Sequence, residues 1–539
     1  MPEESSALGR RQFLGAAAAT GVALAIGSGT AARAVTGSPA ARPAVAETEQ
    51  RERAVVVGSG FGGGVTALRL GLAGVSTLVL ERGIRWPTGP NSSTFCRIDN
   101  LDRRSSWLTD HSLLPGMPST TWKPYTGVIE TRRETGMTIN CGAAVGGGSL
   151  MYHGMSLQPS KEYFAASMPT AAGDYDLLAD RYYPMVARML GIGTIPDDVL
   201  AADQYRSSRL FLDVAPKAGL ETFRVPLPVD WNFVRGELTG QYTPTYTTSD
   251  IVFGVNNGGK HSIDVTYLAA AEATQQVRVA TLHVVRDISL DPQKRWVLQV
   301  DRIDTDGVVQ ERKRIVADAV FLNAGSAGTT RLLVKAKAKG LIPDLPDGVG
   351  TKWGNNGDRI YAWLQMNGDP GDVQGGPACV GGRDPKSSIP LTVIHAGSPR
   401  KAPAGIKLMT VVGFGVVDGA GTWTYDPNAD DAKLTWPSDA DAALQKAIRT
   451  RMDEFTRVGG GVMLDTNALE PSTWHALGGV PMGSAVDRYG RVLGHRGLYV
   501  LDGARIPGST GACNPSMTIA ALAEQSMTTI VETDIGTVF

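Results

Sequence analysis

The chain has 539 residues, 42% of them hydrophobic, and a formal net charge of −1. That length and apolar content supply core for more than one structural unit, and near-neutrality leaves no basic surface to argue for nucleic acid or anionic lipid. Cys96, Cys141, Cys379 and Cys513 show no C-x-x-C or zinc-type spacing and are too few to staple a chain this long, so free, buried thiols are expected.

Residues 1–34 read as a twin-arginine export leader. Arg10 and Arg11 precede Gln12, Phe13 and Leu14, an apolar stretch covers 16–26, and Ala32, Arg33 and Ala34 form a small-x-small cleavage site. The apolar stretch is shorter than the roughly 20 residues that span a bilayer. A secreted protein is expected, exported already folded, with a disordered Pro/Ala-rich tether over 35–50.

Residues 53–83, RAVVVGSGFGGGVTALRLGLAGVSTLVLERG, carry the most informative signal. An apolar run at 54–57 suits a buried parallel strand, Gly58 permits a tight exit, Gly60 lets a pyrophosphate approach the backbone beside Ser59, and Gly63 lets the next helix sit close on the sheet. The helix N-terminus offers free N–H groups to phosphate. Glu81 ends the second strand where a ribose is expected, and its charge favours a ribose diol over a 2′-phosphate. This is the pattern of a dinucleotide clamp.

Three further stretches return to the same theme. Residues 141–155, CGAAVGGGSLMYHGM, place Gly146, Gly147 and Gly148 where a backbone can lie against a flat ring or a pyrophosphate, and Ser149 adds a hydroxyl. The flanking Val145, Leu150 and Met151 favour cofactor contact over a flexible surface loop. Residues 279–290 and 315–325 read as strands, and the turn at 324–328 opens a helix through Leu333, a second strand, turn and helix. Residues 498–501 form a short buried strand, Asp502 and Gly503 a turn, and 518–528 a small-residue helix that Asn514-Pro515 starts. Asp502 either reaches the ribityl hydroxyls of a flavin or caps a neighbouring helix.

Taken with RSSW at 104–107, NNGGKHSIDVTYLAAA at 256–271, FLNAGSAGTTRLLVKA at 321–336, WGNNGD at 353–358, WHALGG at 474–479, YGRV at 489–492 and LYVLDG at 498–503 through NPSMTIAALAE at 514–524, the chain resembles the glucose-methanol-choline (GMC) oxidoreductases, in particular the bacterial cholesterol oxidase branch with non-covalent FAD. The resemblance implies an α/β fold, with an FAD-binding Rossmann-like domain (52–160, 251–354 and 466–539) and an inserted α+β substrate domain (161–250 and 355–465) containing a large mixed or antiparallel sheet. It implies FAD held by Gly58, Ser59, Gly60, Gly63, Glu81, Gly146, Gly147, Gly148, Ser149, Gly154, Met155, Val285, Asp502, Gly503 and Met517. The implied reaction oxidises a bulky secondary alcohol of sterol type to a ketone by hydride transfer to flavin N5, with O₂ reduced to hydrogen peroxide. The expected partners are that apolar alcohol and O₂, met by a monomer whose contact with a membrane surface is at most transient.

Such chemistry needs a base for the hydroxyl proton and a group that fixes the substrate oxygen. By themselves His475 is an ordinary structural histidine and Asn514 an ordinary helix start; the resemblance assigns them to the two roles, for which a neutral imidazole and a non-titrating amide are suited. The other histidines, His111, His153, His261, His283, His395 and His495, form no H-x₃-H or H-E-x-x-H pair, so a metal site has no support.

Three departures limit the substrate inference. Cholesterol oxidases use a substrate-domain glutamate for the 5-ene to 4-ene isomerisation; Val393 is the nearest match here, and no Glu occurs between Glu311 and Glu454. Asp369, Asp372 and Asp384 read as surface turns, so isomerase activity is expected to be weak or absent. Tyr152 and His153 stand where the family has asparagine and glycine over the flavin. GACN adds one residue before Asn514, which moves that side chain relative to the cofactor. The apolar run at 406–417 reads either as a ligand wall or as ordinary sheet core. Two other functions stay open: a GMC enzyme for a non-sterol alcohol such as a polyol, sugar or secondary metabolite, and a non-catalytic flavin-binding protein, against which the retention of His475 and Asn514 speaks.

Overall fold

A computed structural model describes residues 45–114, 120–399, 402–468 and 470–539. The expected export leader, 1–34, and most of the expected tether lie outside the described residues. The fold is mixed α/β, organised around two large sheets.

The first sheet has seven strands. In spatial order they are Val277–Ala280, Thr77–Leu80, Ala46–Val57, Val309–Leu322, Trp296–Ile303 and His283–Leu290, with Leu498–Val500 pairing parallel to the end of Val309–Leu322. Its centre is parallel and hydrophobic: Val55, Val56, Val79, Leu80, Phe321 and Leu322 are buried, each contributing about 1.5–3 kcal/mol. The helix Phe61–Leu72 crosses from the first clamp strand to the second. A Cβ on Gly63 would lie 2.0 Å from the Gly58 carbonyl oxygen, so only glycine lets that helix sit so close.

The first strand corrects the expected tether. It begins at Ala46, and residues 46–50 pair in parallel with 311–315. The stretch AETEQRER looks like a linker because it is polar, yet its partner strand is ERKR. Glu47 lies opposite Arg312, Glu49 forms an ion pair with Arg314 at 2.9 Å, and the Thr48 hydroxyl donates to Glu311 at 2.7 Å. Cross-strand charge complementarity holds an exposed ladder that hydrophobic patterning does not reveal.

The second sheet has six strands, all antiparallel, in the order Val462–Asp465, Arg359–Leu364, Leu408–Gly415, Leu391–Ala396, Val380–Arg383 and Glu221–Arg224. One face carries Tyr361, Val393 and Val411 into a core shared with Phe211, Ile448 and Phe455 of the helices Arg206–Lys217 and Ala442–Gly459. The other face turns toward the first sheet. The run at 406–417 thus serves both purposes: Met409 and Val411 are core, while Thr410 and Val412 line a cavity.

The C-terminal helix Ser516–Thr533 packs on Phe61–Leu72. Glu524 is fully buried there, accepting from Arg69 at 2.5 Å and from the Tyr267 hydroxyl at 2.9 Å. Among the described residues, no helix is long and apolar enough to cross a membrane.

Candidate active site

A cavity of about 820 Å³ lies between the two sheets. One end is built from the clamp. Gly58 adopts φ +95°, and a Cβ there would fall 2.2 Å from the Asn323 carbonyl oxygen. Gly60 and Gly148 differ in kind: a Cβ on Gly60 meets nothing nearer than 3.9 Å, and one on Gly148 meets nothing within 4 Å. Both line the cavity, so side chains there would fill its space and leave the fold intact. The helices Phe61–Leu72 and Gly325–Ala338 both start at this wall; no side chain of the N-cap residue caps the first, whereas at the second Thr329 Oγ1 accepts from the Ala324 N–H at 3.1 Å and Asp502 from the Gly325 N–H. The positive dipole end of Phe61–Leu72, beside the open glycines, fits a ligand's phosphates.

Glu81 follows the second clamp strand and is buried. Its Oε2 accepts from the Ser59 hydroxyl at 2.6 Å and the Ser59 N–H at 3.2 Å, and its Oε1 from the Gly83 N–H at 2.9 Å. Burial pushes its pKa up, and Oε1 retains a lone pair for a ribose hydroxyl. Of the two tasks left open for Asp502, capping is the one the structure shows. Asp502 lines the cavity, caps the turn Gly503–Arg505 through the Ala504 N–H at 2.9 Å, and accepts from Thr329 at 2.6 Å; burial raises its pKa to about 6.

Of the expected cofactor residues, Gly58, Ser59, Gly60, Glu81, Gly147, Gly148, Met155, Val285, Asp502 and Gly503 line this cavity. Gly63, Gly146, Ser149, Gly154 and Met517 do not. Ser149 is the clearest correction: its hydroxyl donates to the Gly146 carbonyl at 2.7 Å and accepts from the Ile263 N–H at 2.9 Å, so it ties the glycine loop to a neighbour. Gly146 closes that turn at φ +98°, Gly154 turns at φ +82° against Pro228, and Met517 packs in the core.

His475 lies on the cavity wall beyond the glycines. It follows the short strand Ser472–Thr473, and its Nδ1 donates to Asp358 Oδ1 at 2.7 Å. The other carboxylate oxygen accepts from the Thr473 hydroxyl at 2.9 Å and the Trp474 N–H at 3.0 Å. Asp358 is therefore held on both oxygens, and its bond fixes the neutral imidazole with the proton on Nδ1 and the lone pair on Nε2. Asp358 lies within WGNNGD, where nothing in the neighbouring sequence marks it as the partner of His475. In the same motif, Asn356 donates to the Cys513 carbonyl at 2.9 Å and accepts from the Thr510 N–H at 3.1 Å, anchoring the approach to Asn514.

Asn514 also reaches the cavity, but its amide is committed. Oδ1 accepts from the Leu157 N–H at 3.1 Å, while Nδ2 donates to the Met155 carbonyl and, at 2.8 Å, to Ser516 Oγ. With both amide protons used, Asn514 braces the 155–157 backbone in this structure. It does not cap the helix, which begins at Ser516 after Pro515. The extra residue in GACN is absorbed by Ala512, held at φ +57°.

The far wall is apolar. Ile360, Val412 and Ile394 stand side by side in one register row of the second sheet, with Ala396 and Thr410 in the next. Val393, the nearest sequence match to an isomerising glutamate, points to the opposite face and packs in the core. Asp384 is a buried partner of Arg451 at 2.5 Å, which corrects its reading as a surface turn.

Residues 462–523 match the family description "GMC oxidoreductase". The chain is an oxidoreductase acting on CH–OH groups. It is 26% identical over 557 residues to a cholesterol oxidase of Mycobacterium tuberculosis (strain CDC 1551 / Oshkosh), covering 88% of this chain and 90% of that protein. A cholesterol oxidase of Acinetobacter baumannii is 24% identical, covering 88% and 94%. The crystal structure of pyridoxine 4-oxidase from Mesorbium loti superposes with a TM-score of 0.60 at 16% identity, covering 89% of this chain and 99% of that one, a likeness of fold.

Proposed function

We propose that this GMC oxidoreductase is a secreted, FAD-dependent oxidase that converts a bulky secondary alcohol, a 3β-hydroxysterol such as cholesterol, to its ketone, with O₂ reduced to hydrogen peroxide. The observation that carries the reading is the Asp358–His475 pair in one cavity with an open glycine cradle at one end and an apolar sheet row at the other. The similarity to two cholesterol oxidases over 88% of the chain supports the substrate class.

In this reading Gly58, Ser59, Gly60, Gly147 and Gly148 hold the pyrophosphate, Glu81 the ribose, and Asp502 and Gly503 the ribityl chain. FAD, when bound, supplies the hydride acceptor. Nε2 of His475 takes the hydroxyl proton as the C–H bond breaks, and Asp358 stabilises the imidazolium that forms. Ile360, Val412 and Ile394 seat the hydrocarbon and keep water out. The segments 52–160, 251–354 and 466–539 form the cofactor domain, and 161–250 and 355–465 the substrate domain. No glutamate lies on the cavity-facing row, which supports an isomerisation of the 5-ene double bond that is weak or absent.

The test is incubation of the purified yellow protein with cholesterol in air. The expected products are the unconjugated ketone and hydrogen peroxide in equal amounts. Peroxide from a polyol or sugar but not from cholesterol would overturn the substrate assignment, and a colourless protein that binds no FAD would overturn the cofactor.

A further inference from the structure

Resting on the alcohol-oxidising reading, we propose that His153 is a second catalytic residue, whose ring N–H holds the oxygen of the substrate alcohol opposite the base His475.

Three observations lead there. The first is that Asn514 has both amide protons committed to Met155 and Ser516, so it has none to offer a substrate. The second is that His153 lines the same cavity, and its Nδ1 is buried without a hydrogen-bond partner. The ring is uncharged at neutral pH: burial, then the nearby Lys260 ammonium, then His475 pull its pKa down to about 4. A neutral imidazole carries one N–H donor and one acceptor. It can hold an alcohol oxygen without taking its proton, which leaves that proton to His475.

The third observation is that the backbone on either side of His153 is fastened. Lys260 Nζ donates to the Leu150 carbonyl at 2.7 Å and the Tyr152 carbonyl at 2.8 Å, just before His153. Just after it, the Met155 carbonyl accepts from Asn514 Nδ2 and, at 3.0 Å, from Ser516 Oγ. The Tyr152 ring packs edge-on against Phe61 of the clamp helix, with centroids 5.5 Å apart. A donor fixed in place before the substrate arrives stabilises charge developing on the alcohol oxygen without reorganising, which is how such groups lower barriers. Lys260 and Asn514 are positioning residues in this arrangement, and His153 is the group that touches substrate.

The experiment compares wild-type holoenzyme with His153→Phe and His153→Gln. Flavin reduction by the alcohol is followed anaerobically, and binding of the ketone product to the oxidised enzyme is followed through the flavin spectrum. His153→Phe keeps a ring of similar size and should lose about 10²-fold in reduction rate. It should also bind the ketone about tenfold more weakly, while retaining flavin content and Tm. His153→Gln restores an N–H donor and should recover both to within about tenfold of wild type. Reduction of His153→Phe at the wild-type rate overturns the assignment of His153 alone. Equal losses in Phe and Gln, with lowered Tm or flavin content, also overturn it, since packing alone then explains the effect. If no alcohol reduces the wild-type flavin, the alcohol-oxidising reading falls and takes the proposal with it.

Discussion

Asp358 and His475 are 117 positions apart in the chain, and Asp358 Oδ1 accepts from His475 Nδ1 at 2.7 Å. The carboxylate stands at the head of the strand Arg359–Leu364 in the second sheet, whereas the imidazole leaves a short strand paired with Met137–Gly142. The bond therefore joins two parts of the molecule across the cavity and selects the tautomer that leaves Nε2 basic.

Asp358→Asn should lower the rate of anaerobic flavin reduction by about 10²-fold or more, because an amide can donate to Nδ1 and move the ring proton to Nε2. Stopped-flow reduction checks this. A rate within twofold of wild type would mean that the carboxylate does not set the tautomer.

The two clamp glycines should fail differently. Gly60→Val adds a side chain into open cavity, so the apoprotein should keep its Tm while the purified protein loses flavin absorbance. Gly58→Ala must place a Cβ 2.2 Å from the Asn323 carbonyl at φ +95°, and should destabilise the apoprotein by about 2 kcal/mol or more in urea unfolding.

Glu524→Ala should cost about 3 kcal/mol of stability, since it strips a fully buried carboxylate from Arg69 and leaves the Tyr267 hydroxyl without its acceptor. Denaturant titration of the variant against wild type measures it.

Asp502 gives a signed pH dependence. Burial raises its folded pKa to about 6, above the unfolded value of about 4. The acid form is thus favoured in the fold: its contribution is complete below about pH 4 and is lost as pH rises through about 6. The Tm of wild-type apoprotein minus that of Asp502→Asn should fall between pH 4 and pH 7. A flat difference would show that burial does not perturb this carboxyl.

The clamp was readable from sequence because its causes are local. An apolar run, a tight glycine exit and an acid about 20 residues later act within one strand, helix and strand, and Gly58, Gly60 and Glu81 meet at the cavity wall. What depends on distant partners was not readable. Nothing near WGNNGD shows that Asp358 faces a histidine 117 residues on. The polar start of the first strand is stabilised by ERKR some 265 positions away, and the commitment of Asn514 is visible only once Met155 and Leu157 lie beside it. Val393 and Ile394 are adjacent in sequence, yet strand alternation puts one in the core and the other in the cavity, so a shift of one residue in alignment changes the assignment.

The central claim is that His475 deprotonates an alcohol in a flavin-containing cavity. The most direct test is anaerobic mixing of cholesterol with wild-type and His475→Ala holoenzymes of equal flavin content. The account predicts that wild type bleaches and that the variant bleaches at least about 10²-fold more slowly. Equal bleaching of the two proteins would contradict it.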